Sequence, residues 1–147
     1  MNSKYPSNII LDSSVIAKWF FPSEADSETA LKIRDLFLEH KISISVPSLI
    51  YYEINNLLHT AIKRLRINKK LAKEAYLGFL ELELISYSSK ELMVITLENA
   101  ISLDISSYDA SYVALSKYLE IPLITADQKL LNKAKINLVQ NLKTSFG

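Results

Sequence analysis

Cysteine is absent from the 147 residues, and glycine occurs only at Gly78 and Gly147. The first absence excludes disulfides, thiolate zinc sites and cysteine nucleophiles, and it fits a reducing compartment. The second excludes three common active-site devices. A dinucleotide fingerprint needs three glycines in one turn, a phosphate-cradling P-loop needs two, and the serine-hydrolase elbow needs a flanking pair. Histidine is scarce too, with only His40 and His59. His40 falls at the end of an expected helix, where an interaction with the C-terminus explains it. His59 falls opposite an apolar helix face, so a histidine-based mechanism fits poorly. Net charge is +1, so no overall field demands a nucleic-acid or membrane partner. Met1 to Asn8 shows no apolar leader core, and no run approaches the ~18 residues of a membrane span. The expectation is a soluble, cytoplasmic protein of one domain, residues 1–147.

Hydrophobic residues make up 49% of the chain, enough for a core rather than a disordered segment. Short apolar runs alternate with helical patterns. Strands are expected at Ile9–Leu11, Ser43–Val46, Leu84–Tyr87, Pro122–Thr125 and Asn137–Gln140. Helices are expected at Val15–Phe21, from a Ser23 capping box to Glu39, at Ser48–Arg66, and at Lys69–Leu84 behind an Asn68 cap. Others run from a Ser88–Glu91 capping box to Leu103, from Ser106 or Ser107 to Leu119, and over Asp127–Lys135. The alternation implies a parallel sheet covered on both faces, with ligands bound beyond the carboxyl ends of its strands.

Four acids stand where such a site forms. Asp12 ends the run Ile9-Ile10-Leu11. Asp127 follows Leu123-Ile124-Thr125-Ala126. Asp109 opens an almost wholly apolar helix, and Glu53 borders the stripe Ile50, Ile54, Leu57, Leu58, Ala61, Leu65. Each has an ordinary alternative: Asp12 and Asp127 as N-caps, Asp109 in a capping box with Ser106, Glu53 as a boundary residue. Together they suggest a carboxylate cluster, whose members repel unless a cation intervenes. Mg²⁺, or Mn²⁺ in its place, prefers such oxygen ligands, and Ser13, Ser14 and Thr125 offer hydroxyls nearby. Oxygen-only sites suit phosphodiester cleavage, in which the ion activates water and neutralises charge on the phosphate.

The segments "IILDSSVIAKWFFPSEADSETA", "VPSLIYYEINNLL" and "SYDASYVALSKYLEIPLITADQKLL" resemble the PIN domain, and more narrowly its VapC-type toxin ribonucleases. The last segment is the most specific. The resemblance covers nearly the whole chain. It implies a three-layer α/β/α domain with a central parallel sheet of four or five strands. It implies an acidic quartet of Asp12, Glu53, Asp109 and Asp127 around a divalent cation, with Thr125 as the hydroxyl two residues before the last acid. It further implies metal-dependent endonucleolytic hydrolysis of RNA, a homodimer, and a cognate antitoxin that silences the enzyme. Asp104 and Glu98 are the candidates for a further acid.

The stretch "KRLRINKKLAK" carries Lys63, Arg64, Arg66, Lys69, Lys70 and Lys73, with no acid from Ile54 to Lys73. It reads either as a phosphate-binding rim for RNA or as a solvated helix end. Trp19, Phe20 and Phe21 read as core or dimer interface, and Tyr108 and Tyr112 as core with polar tips. Tyr51 or Tyr52 could border the cleft. Two rival readings remain: a PIN-like module that grips RNA or a protein without cutting, and a phosphatase or phospho-receiver. The receiver lacks the acidic pair it would carry near the first strand.

Overall fold

The computed structural model describes residues 4–147, so Met1 to Ser3 of the stretch read for a leader lie outside it. Five strands form: β1 (Asn8–Leu11), β2 (Ser43–Pro47), β3 (Ile85–Tyr87), β4 (Leu123–Thr125) and β5 (Val139–Asn141). The helices are α1 (Ser13–Phe20), α2 (Ser27–Leu38), α3 (Ile50–Lys63), α4 (Lys69–Leu80), α5 (Lys90–Leu103), α6 (Ser107–Leu119), α7 (Gln128–Lys133) and α8 (Leu142–Phe146).

Ile9, Ile10 and Leu11 are all fully buried. Successive strand residues point to opposite faces, so both faces of the sheet at β1 must be covered. They are. Helix α6, backed by α5, lies across β1, β2 and β4, while α1 and α8 meet β4 with α2 packed on them. The result is a three-layer α/β/α arrangement. The sheet order is β3-β2-β1-β4-β5, and every pairing is parallel. From β1 the chain winds outward to β2 and β3, then crosses back to β4 and β5. The winding direction reverses between β1 and β4, the position where open α/β sheets leave a crevice at their carboxyl edge. Register places Leu11 beside Ile124, so the residues just past both strands share that crevice.

Several local expectations change. Ser23 caps nothing: α2 begins at Ser27 behind Asp26, whose φ is 61°. The Ser27 hydroxyl instead donates to the Glu24 carbonyl at 2.6 Å. The α5 cap is Ser89, which accepts from the Leu92 amide, not Ser88. Helix α4 stops at Leu80, four residues early. A terminal helix, α8, was not expected; Asn141 caps it through the Lys143 and Thr144 amides. Leu65, assigned to the apolar stripe of α3, is 92% exposed. It sits at φ 60° because the chain turns out of α3 there, with Arg66 N–H returning to the Ala61 carbonyl at 2.9 Å. Glycine normally fills such a position, and this chain has almost none to spend.

Candidate active site

The four acids arrive from four separate stretches. Asp12 follows β1, and its amide donates to the Ile124 carbonyl at 3.0 Å, pinning it across the switch point. Asp127 follows β4, and Glu53 lies in the first turn of α3. Asp109 lies in the first turn of α6, where its amide donates to Ser106 Oγ at 3.1 Å. All four line one open cavity of about 380 Å³, together with Ser13, Ser14, Ala17, Asn56 and Thr60. No lysine, arginine or histidine is in that lining, and among the described residues none of the four acids forms an ion pair.

The capping alternatives separate here. Asp127 does cap α7: Oδ1 accepts from the Lys129 and Leu130 amides at 2.9 and 3.4 Å. Asp12 occupies the cap position of α1 but makes no side-chain cap bond. Its Oδ2 instead accepts from Ser14 Oγ at 2.7 Å and Thr125 Oγ1 at 2.8 Å. Among the described residues its Oδ1 is buried with no hydrogen-bond partner. An unsatisfied buried carboxylate oxygen is costly. Burial therefore pushes the Asp12 carboxyl up to about 6, with a smaller push from Asp109 and Glu53; the Ser14 and Thr125 hydroxyls act the other way.

Glu53 is held at both oxygens. Oε1 accepts from the Tyr112 hydroxyl at 2.6 Å and Oε2 from Ser13 Oγ at 3.0 Å. Burial raises its pKa, and these two bonds oppose the rise. Asp109 is also raised, by burial first and then by the charge of Asp127. Tyr112 is 1% exposed. Burial, then the negative charge of Glu53, lifts its phenol well above the ordinary range, so it stays a donor at neutral pH.

No three His, Cys, Asp or Glu side chains among the described residues form a ready-made ion cage. Two observations explain this. Glu53 is drawn onto hydroxyls and Asp127 onto backbone amides, and uncompensated carboxylates repel. The residues nevertheless fit an oxygen-seeking divalent cation. Four carboxyl groups share a cavity without a counter-charge, and one buried oxygen lacks a partner among the described residues.

Ser13 lies beside Glu53 and Thr125 beside Asp12. Tyr112 was read only as core; its role toward Glu53 was missed, although a hydroxyl three residues after Asp109 on a buried helix was a usable signal. Asn56 and Thr60, three and seven residues beyond Glu53 on the same helix, were missed as well. Neither Tyr51 nor Tyr52 lines the cavity: Tyr51 packs against Phe79, and Tyr52 is exposed. Tyr108 is 65% exposed, not core. Asp104 stands outside the cavity, paired with Lys133 at 3.3 Å, and Glu98 is exposed on α5.

The six cations are exposed around the α3–α4 turn. Arg66 is engaged elsewhere, with Nη2 3.3 Å from Glu24 and its guanidinium 4.2 Å from the Phe21 ring centre. Lys69 and Lys73 edge a separate groove between α3 and α4.

Known proteins share this architecture. PAE2754 from Pyrobaculum aerophilum superposes with a TM-score of 0.66 at 20% identity, over 93% of this chain and 90% of that one. A toxin–antitoxin complex from Klebsiella pneumoniae gives 0.63 at 14% identity, over 91% and 97%. VapBC2 from Rickettsia felis, bound to a DNA fragment from its promoter, gives 0.63 at 16% identity, over 91% and 98%. No curated protein matches the chain. The family model of the PIN domain matches residues 9–136. With that match and this fold, the chain belongs to the PIN domain family.

Proposed function

We propose that this protein is a Mg²⁺- or Mn²⁺-dependent endoribonuclease, the toxin of a toxin–antitoxin pair. One observation carries the reading: four acids from four stretches line one cavity that holds no basic side chain. Asp12, Asp109 and Asp127 would hold the ion, with Glu53 holding it through water or orienting the attacking water. The bound ion supplies Lewis acidity and neutralises charge building on the scissile phosphate. The protein's own residues do the rest. Ser14 and Thr125 fix the Asp12 carboxylate by the two bonds to Oδ2. Tyr112 and Ser13 fix Glu53, so its orientation does not depend on the substrate. Membership of a nuclease-rich family and the neighbouring toxin–antitoxin structures support the reading.

Self-association belongs to the same reading, through α5. That helix turns polar Thr96 and Asn99 inward and leaves Met93, Val94, Leu97 and Ile101 each more than half exposed. A helix that is apolar on its outer face wants a second cover. With Tyr108 the patch is on the order of several hundred Å², at the upper limit for monomers and near what a stable partner interface needs. A second copy related by a two-fold axis at Leu97 would set Met93 against Ile101, size matched to size.

The test is cleavage of RNA with Mg²⁺, with chelator, and by Asp109→Asn. The expected result is activity in the first case alone. Undiminished cleavage by the folded variant sinks the assignment, and RNA binding without cleavage in any condition favours the non-catalytic module.

A further inference from the structure

We propose that Arg64, with Lys63 beside it, is a remote phosphate-binding site for one RNA strand running from the acidic cavity along α3. The ligand class rests on the ribonuclease reading; the placement rests on the helix. Glu53, Asn56 and Thr60 of α3 all line the cavity. Asn56, Thr60 and Arg64 are spaced at i, i+4 and i+8, one ridge of a helix surface. The helical geometry persists to the end of that ridge, because the Arg64 amide still donates to the Thr60 carbonyl at 3.0 Å. At 1.5 Å per residue, Arg64 lies about 16 Å along the axis from Glu53.

The charges around it point the same way. No acid occurs from Ile54 to Lys73, and among the described residues none pairs with Arg64. Three other cations of the stretch are less available to this path. Arg66 is held by Glu24 and Phe21, and Lys69 and Lys73 edge the groove on another side of α3. A cavity of four carboxylates repels a polyanion, so attraction must come from beyond it. A guanidinium matches phosphate oxygens in a bidentate fork, which suits Arg64 for that task. One ridge gives one line of contacts, hence one strand. The spacing corresponds to about five stacked nucleotides at 3.4 Å each, fewer if the strand is extended.

The experiment is fluorescence anisotropy of labelled single-stranded RNA binding to the full chain, with Ca²⁺ in place of Mg²⁺ so that the cavity is charge-compensated, and with the RNA checked on a gel to be intact. RNAs long enough to span both places are compared with series shortened from each end. Arg64→Ala is expected to weaken binding of the long RNA about five-fold and to lower the log–log salt slope by ~0.7, the single-strand value for one lost phosphate contact. Arg64→Lys should keep most of the affinity. Lys41→Ala, at the amino edge of the sheet, should change nothing. Shortening the RNA below the span between the two places should erase the Arg64→Ala effect. Unchanged affinity for long RNA, an equal loss at every length, or an equal loss in Lys41→Ala would overturn the proposal. Cleavage is scored separately: Arg64-dependent, length-dependent binding without cleavage supports this site while overturning the nuclease.

Discussion

Asp12→Asn, made without metal, is expected to stabilise the protein at neutral pH. The Asp12 carboxyl is 2% exposed, and burial lifts it from 3.8 to about 6. A group raised in the folded state favours folding while protonated. That stability is fully present below pH ~3.8 and is lost as pH rises through about 6. At ~1.36 kcal/mol per unit, the loss is about 3 kcal/mol by pH 7.5. An asparagine escapes it. Its carbonyl keeps the Ser14 and Thr125 bonds, but its amide group takes the place of Oδ1, which has no partner, at a cost of about 1 kcal/mol. The net gain is about 2 kcal/mol, or about 6 °C in Tm for a chain of this size. Thermal melts in chelator from pH 4 to 8 check this. The variant should lead at pH 7.5, and the lead should vanish by pH 4. Glu53 and Asp109 are raised as well, so their titration tilts the wild-type profile in the same sense. A variant less stable than wild type at pH 7.5 in chelator would refute the argument that Asp12 is held charged against its environment.

Tyr112→Phe removes the 2.6 Å bond to Glu53 Oε1; unfolding by denaturant should show a loss of about 1–3 kcal/mol, and RNA cleavage should fall with little change in KM. Leu65→Gly should raise stability by about 0.5–1 kcal/mol, because φ 60° suits glycine and the leucine side chain contacts almost nothing; a drop in the denaturation midpoint would contradict it. Leu97→Glu should convert a dimer to a monomer in sedimentation at tens of micromolar, and any loss of Tm should shrink as the protein is diluted; a wild-type monomer under those conditions removes α5 as a self-pairing surface.

Much of the fold was legible because parallel strands buried on both faces must be apolar, and the acids that end them stand out. Asp12 after Ile9-Ile10-Leu11 and Asp127 after Leu123-Ile124 are such breaks, and both line the cavity. What periodicity hides is which side of a helix a residue finally covers. Tyr108 and Tyr112 share a spacing, yet one is exposed and the other bonds to Glu53, because α5 packs beside α6 and neither helix is conventionally amphipathic. Caps were misjudged where several serines compete, as at Ser88 and Ser89, or where backbone geometry replaces a side chain, as at Asp26. Leu65 reads as core because nothing in its spacing reveals that the helix has already ended.

Diffraction from crystals soaked in Mn²⁺, recorded for its anomalous signal, tests the central claim most directly. The expected result is a peak in the cavity with Asp12, Asp109 and Asp127 among its ligands and Glu53 reaching it through water. A cavity with no peak at saturating Mn²⁺, or with Glu53 and Asp109 facing away from it, would contradict the account.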